Sequence, residues 1–220
     1  MTRIGIVDYG MGNRRSVQKA FEHVGATAAI SRDREELRDA DALVVPGVGA
    51  FPLAMRNLRQ LGLDELICER AASGTPLLGI CLGMQLLFAR SEELGQTEGL
   101  GLLPGAVTPL DTRGLRLPHI GWNEVHFERS SPLSHGLPQG GCPFYHVHSL
   151  AAHPQDASDI VATTEYGERF ATIVEHGRVF GVQFHPEKSS MHGLRMLANF
   201  VAMCANPAGA GERREVQLRA

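Results

Sequence analysis

Between Arg3 and Ala89 the chain repeats one pattern three times: a short apolar run, a turn built on glycine, and a stretch with apolar residues at helical spacing. Arg3 to Tyr9 leads into Gly10-Met11-Gly12-Asn13 and a helical stretch from Ser16 to Val24. Ala42-Leu43-Val44-Val45 leads into Pro46-Gly47-Val48-Gly49 and a stretch from Phe51 to Leu61, and Leu77-Leu78-Gly79-Ile80 into Cys81-Leu82-Gly83 and a stretch from Met84 to Ala89. Strands that are apolar at nearly every position have no face to offer water, so both sides must be covered, and alternation with helices makes the sheet parallel with right-handed crossovers. The predicted fold class is α/β. In such sheets ligands bind beyond the carboxyl ends of the strands, so the three glycine turns are expected to converge on one cleft.

Beyond Leu102 the texture changes to short alternating runs, Glu124 to Phe127, Tyr145 to His148, Ile160 to Thr164, Ala171 to Glu175 and Val179 to Phe184, which read as antiparallel hairpins attached to the parallel core. Ser189 to Cys204 returns to helical spacing, with Leu194, Leu197, Phe200 and Val201 on one face. A chain of 220 residues is expected to form one domain, here 1–205, followed by a flexible C-terminal tail at 206–220 rich in Gly, Ala and charge.

The balance of 21 basic against 24 acidic residues gives a formal charge of −3, which argues against a nucleic-acid or anionic-membrane binder. The four cysteines, Cys68, Cys81, Cys142 and Cys204, form neither a CxxC pair nor a dense disulfide framework, and a reduced, cytoplasmic chain is the simplest expectation. A charge at Arg3 and another at Asp8 interrupt what would be a signal peptide's apolar stretch. Residues 71–89 carry no charge, yet Gly74, Pro76, Gly79, Gly83 and Gln85 divide them into strand, turn and helix instead of a membrane span.

Gly79-Ile80-Cys81-Leu82-Gly83 copies the spacing of the G-x-S-x-G nucleophile elbow, where small flanking residues relieve crowding at a sharp strand-to-helix turn. Cys81 would then sit at a helix start whose dipole and amide donors favour a thiolate. The competing reading is a buried cysteine packing strand against helix. A thiolate nucleophile needs a proton shuttle, for which His185 closes an apolar strand in Gly181-Val182-Gln183-Phe184-His185-Pro186-Glu187-Lys188, with Glu187 placed to orient it. A surface His-Pro-Glu turn is the alternative. Acyl chemistry also needs donors for an oxyanion, and the candidates are the amide of Leu82 and those of the Val48 and Gly49 turn. The first turn, Asp8 to Ser16, joins strand to helix and so invites a nucleotide or phosphate reading, but it lacks the third glycine of a dinucleotide fingerprint and the Gly-Lys-Ser/Thr of a P-loop, and a turn or docking surface fits it at least as well. His146 and His148 share a strand face without a carboxylate or cysteine at ligand spacing, and no metal site is predicted.

The elbow Gly-Ile-Cys-Leu-Gly-Met-Gln, the Pro-Gly-Val-Gly turn and the strand end Gly-Val-Gln-Phe-His-Pro-Glu together resemble the class I (triad) glutamine amidotransferases. Asp-Tyr-Gly-Met-Gly-Asn at 8–13, Pro-His-Ile-Gly-Trp-Asn at 118–123, His-Ser at 148–149 and His-Pro-Glu-Lys-Ser at 185–189 narrow the resemblance to the glutaminase subunits of imidazole glycerol phosphate synthase, over residues 3 to 203. The resemblance implies a flavodoxin-like sheet and no cofactor. It implies that Cys81 attacks the glutamine side-chain amide, that His185 shuttles the proton and that Glu187 orients it. Gln85 and the backbone of Ser149 and Leu150 match glutamine-binding positions. Asn13, Trp122, Tyr145 and Lys188 match positions that face a (β/α)8-barrel cyclase, the partner that receives the ammonia and whose ligand switches the glutaminase on. Arg14 stands where the family commonly has leucine, and Ile120 where it has methionine. A glutaminase serving another synthase or acting alone, and a non-enzymatic binding module, are the competing readings.

Overall fold

The computed structural model describes residues 1–205, so the tail expected at 206–220 lies outside the described residues. The elements in chain order are β1 (Arg3–Val7), α1 (Arg14–His23), β2 (Thr27–Ser31), α2 (Arg34–Arg38), β3 (Ala42–Gly47), α3 (Phe51–Gln60), α4 (Leu63–Ala72), β4 (Leu77–Cys81), α5 (Leu82–Leu86), β5 (Phe88–Ser91), β6 (Thr97–Glu98), β7 (Leu103–Pro109), β8 (His119–Phe127), β9 (Cys142–His148), β10 (Leu150–Pro154), β11 (Ile160–Tyr166), β12 (Glu168–His176), β13 (Val179–Val182) and α6 (Ser190–Ala205).

Five strands in the order β2-β1-β3-β4-β13 pair in parallel, which is the flavodoxin-like arrangement. Every residue of β3 and β4 is buried, as their unbroken apolar sequences require. Side chains alternate across this sheet. Ile4, Ile6 and Val44 pack with Val17 and Phe21 of α1 and Leu197 and Phe200 of α6, whereas Val7, Leu43 and Val45 pack with Leu37, Met55, Leu58, Leu66 and Met84 on the side of α2 to α5. The sheet continues from β13 through antiparallel β12 and β10 to β7, while β11, β8 and β9 form an antiparallel flap branching from β12.

Two sequence expectations are corrected. The helix placed at Met84 to Ala89 runs instead from Leu82 to Leu86, because Phe88 leaves it to pair with Leu103 of β7. Val179 to Phe184, grouped above with the antiparallel hairpins, supplies β13, which is antiparallel to β12 but parallel to β4, with Gly181 opposite Gly79. A side chain at Gly181 would meet Met84 at 2.6 Å, so glycine lets α5 lie across this strand. This placement of β13 carries the functional consequence, since it delivers the residues after it to the end of β4.

Candidate active site

Cys81 ends β4 with φ 55° and ψ −112°, a backbone conformation that L residues rarely adopt and that sharp elbows impose. The flanking glycines are required by space. A Cβ on Gly79 would stand 2.6 Å from the Gly83 carbonyl oxygen, and one on Gly83 would overlap the carbonyl oxygen of Val45. The elbow therefore forms because α5 starts directly against the backbone of β3.

The other glycine turns close on the same point. A Cβ on Gly12 would be 3.1 Å from the Gly47 Cα, and the hydroxyl of fully buried Tyr9 donates to the Pro46 carbonyl at 2.7 Å. Burial, with a smaller contribution from the neighbouring Cys81, raises the Tyr9 phenol, so it stays a proton donor. Val48, Gly49, Cys81, Leu82, Gln85, Ser149 and Leu150 line one cavity of about 240 Å³, together with Glu93, Pro118, Val147 and His148. Every substrate or oxyanion position named from the sequence thus faces one cavity.

His185 follows β13 and stands beside the thiol of Cys81, with its Nδ1 2.9 Å from Oε1 of Glu187. Both side chains are at most 4% exposed. Burial alone pushes an imidazole down, but here hydrogen bonding and charge from Cys81 and Glu187 outweigh it and push His185 up to about 10. The short helical turn at Pro186–Lys188 is pinned by Ser189, whose hydroxyl donates to the His185 carbonyl at 2.6 Å and accepts the Tyr145 amide at 3.0 Å. A buried thiol, an imidazole and a carboxylate in series, opening on a cavity with main-chain amides at a helix start, can perform nucleophilic acyl transfer.

Asn13, Trp122, Tyr145 and Lys188 do not line this cavity. Asn13 and Lys188 are exposed, and Trp122, 54% exposed, faces Tyr145 across β8 and β9 with ring centroids 6.1 Å apart. Arg14 is not an extra charge left over in the first turn: it pairs with Asp8, which Arg32 also meets at 2.9 Å. His146 shares its nitrogens between the Phe144 carbonyl and the Thr172 hydroxyl, and among the described residues no group of three or more His, Cys, Asp or Glu side chains is arranged to hold a metal.

Sequence reasoning missed Glu93, a carboxylate that lines the cavity and accepts the Phe51 amide at 2.6 Å. It also missed Gln183, whose Nε2 lies 3.7 Å from the Cys81 sulfur and whose Oε1 accepts from Gln85 at 3.0 Å. Gln183 stood in the quoted strand end, and strand alternation from His185 was a usable signal. Glu93 lies in the turn between β5 and β6 and had none.

The sequence matches the family of class I glutamine amidotransferases over residues 5–204. It is 50% identical over 211 residues to the imidazole glycerol phosphate synthase subunit HisH of Moorella thermoacetica, covering 96% of this chain and 100% of that protein. It is 51% identical over 205 residues to the subunit of the same name from Symbiobacterium thermophilum, covering 92% and 95%. Solved structures share the fold at lower identity: a glutamine amidotransferase at TM-score 0.72 and 22% identity, covering 92% of this chain and 98% of that one, and PurLQS from Thermotoga maritima at 0.72 and 21%, covering 94% and 98%. No helix among the described residues is long and apolar enough to cross a membrane. The chain belongs to the class I glutamine amidotransferases, in the family of imidazole glycerol phosphate synthase HisH subunits.

Proposed function

We propose that this chain is the glutaminase subunit of a cytoplasmic imidazole glycerol phosphate synthase, hydrolysing glutamine and passing ammonia to a (β/α)8-barrel cyclase in histidine biosynthesis. The observation that carries the reading is Cys81, held in an elbow conformation beside a histidine that is itself bound to a buried glutamate. The Cys81 sulfur attacks the side-chain carbonyl carbon of glutamine while His185 holds the thiol proton. Collapse of the tetrahedral intermediate breaks the C–N bond, the proton passes from His185 to the leaving nitrogen, and ammonia departs from a glutamyl thioester. Water then attacks the thioester, giving its proton to His185, and glutamate leaves as the sulfur recovers a proton. Glu187 keeps the ring oriented and stabilises its protonated form. The amides of Leu82 and of the Val48 and Gly49 turn are the donors for the oxyanion, each contributing about 2.7–4 kcal/mol by analogy with measured cases.

Gln85 and the backbone of Ser149 and Leu150 hold the substrate, and Glu93 is the cavity's carboxylate for an ammonium group. A glycine on each side of Val48, with Gly49 at φ +117°, supports a peptide rearrangement there as the switch driven by the liganded cyclase. Asn13, Trp122, Tyr145 and Lys188 form the docking face of the heterodimer, with exposed Ile120 on the same side of β8 as Trp122. The 1–205 segment acts as one amidotransferase domain. The experiment is glutamine hydrolysis by the purified chain, alone and with a cyclase partner plus its ribonucleotide ligand. Activity appearing with the liganded partner and lost in Cys81→Ala, with partner binding retained, is the expected result. Hydrolysis surviving in Cys81→Ala overturns the mechanism, and full activity of the chain alone overturns the partner assignment.

A further inference from the structure

Three histidines from the antiparallel flap, His119, His146 and His148, lie within the fold and take no part in the chemistry above. His119 and His148 are 3% and 6% exposed and joined in a continuous chain of hydrogen bonds. The Leu150 carbonyl lies 2.8 Å from His148 Nδ1, and a carbonyl can only accept, so the proton of His148 is on Nδ1 and its Nε2 is an acceptor. His148 Nε2 lies 3.0 Å from His119 Nδ1, which must therefore carry the second ring's proton. His119 Nε2 in turn accepts from the Asn123 side-chain amide at 3.2 Å, whose orientation is fixed because its oxygen accepts the Glu124 amide at 2.8 Å and its nitrogen also reaches the Glu165 carbonyl at 2.9 Å.

The other end of the chain enters the cavity. The Leu150 carbonyl receives a second donor, Gln85 Nε2, at 3.3 Å; Gln85 also donates to Gln183, and Gln183 reaches the Cys81 sulfur. Each link has one donor and one acceptor, with a single consistent direction from Asn123 to Leu150. Burial keeps both imidazoles neutral at pH 7 by pushing each down to about 4. His119 is also held in place by stacking on Tyr166, with centroids 4.0 Å apart and planes 17° apart.

We propose that His119 and His148 are positioning residues for glutamine: their directed hydrogen-bond chain fixes the Leu150 carbonyl and, through it, Gln85, and ties this wall of the pocket to Asn123, the neighbour of Trp122. The inference rests on the glutaminase reading, since its readout is glutamine affinity. His148 lines the cavity, but the hydrogen bonds of the two rings run to each other, to Asn123 and to the Leu150 carbonyl, and none goes to Cys81, His185 or Glu187. Loss of either ring therefore acts on binding and leaves the Cys81, His185 and Glu187 series standing, which raises KM while sparing kcat.

The test measures glutamine hydrolysis by the complex of the chain with the cyclase and its ligand. His119→Leu and His148→Leu each raise KM about tenfold with kcat within about threefold, as expected for one lost buried hydrogen bond and its stranded partner. Asparagine keeps a donor near the Nδ1 position, so His119→Asn and His148→Asn recover much of the loss. The double leucine variant is no worse than His148→Leu alone, because a chain is broken only once. His146→Leu is the control: the ring stacks on His119 with centroids 5.0 Å apart, but its hydrogen bonds lie outside the chain, so a leucine that keeps the apolar contact lowers stability without changing KM. Should a leucine variant fail to fold, Asn123→Ala cuts the chain at its outer end and raises KM by itself. Wild-type KM in His119→Leu or Asn123→Ala, or an equal rise in His146→Leu, overturns the inference and leaves the glutaminase reading intact. A wild-type complex that hydrolyses no glutamine overturns both.

Discussion

Replacing Cys81 by glycine and, separately, by alanine measures the strain at the proposed nucleophile. Its φ of 55° and ψ of −112° are open to glycine and closed to most L residues. At an ordinary site alanine is the more stable of the two. Its methyl, in a position 5% exposed, contributes about 0.8 kcal/mol. Glycine's greater freedom in the unfolded chain costs roughly another 0.4–1 kcal/mol. Without strain, then, alanine leads by about 1.5 kcal/mol. A non-glycine residue in a sparsely populated region costs about 1–3 kcal/mol, and a ψ far from the left-handed helical basin puts Cys81 near the upper value. The order reverses, with glycine ahead by about 1.5 kcal/mol. For a chain of this size that separates the melting temperatures by about 3–6 °C, glycine above alanine. Both variants lack the thiol, so thermal unfolding of the two under identical conditions compares the backbone together with one buried methyl, whose contribution is included in the figure above. An alanine variant melting above the glycine variant by a similar margin would refute the claim that the elbow is strained.

Glu187→Gln removes a hydrogen-bonded charge that raises His185, so the proton of His185 is lost at a pH below about 10, read from the ring C–H resonance during titration. Because the folded state holds this group above its unfolded value near 6.5, its contribution to stability is complete below that pH and disappears as pH rises through about 10, and the variant loses it earlier. Gly83→Ala forces α5 away from the Val45 carbonyl and with it Cys81, the proposed nucleophile; a displacement of about 1 Å suffices for a loss near 10²-fold in kcat, checked in the liganded complex. Tyr9→Phe removes the donor to the Pro46 carbonyl and leaves that buried acceptor unsatisfied, costing about 1–3 kcal/mol in urea unfolding.

The parallel core and the elbow were legible because each depends on neighbours in sequence: β3 and β4 are apolar throughout, and Gly79 and Gly83 bracket Cys81 within one turn. The site's other half depends on sheet order. Nothing in Val179-Phe180-Gly181-Val182 distinguishes a hairpin strand from one that slips between β4 and β12, since both are short and buried. The same limit hid the start of β5, where Phe88 reads as a continuation of a helical apolar face until its partner Leu103 is known. Glu93 and the chain from Asn123 to Leu150 were invisible for a different reason: their meaning lies in which polar atoms meet across strands, and spacing along the chain does not encode it.

The position of β13 also sets an order of events in the making of this protein. The sulfur of Cys81 and the side chain of Gln183 lie 102 residues apart in sequence yet close together in space, and β13 pairs with both β4 and β12. Closing a loop that long is among the slower steps available to a folding chain, and it comes after the local β-α units at the amino-terminal side have had time to form. Until it closes, Cys81 has no His185 beside it, and the edge of β4 that will receive β13 lies open to strand pairing. A ribosome-bound or truncated chain ending before Val179 therefore both lacks the histidine beside Cys81 and is prone to association, and the same pairing that brings His185 to Cys81 ends both conditions.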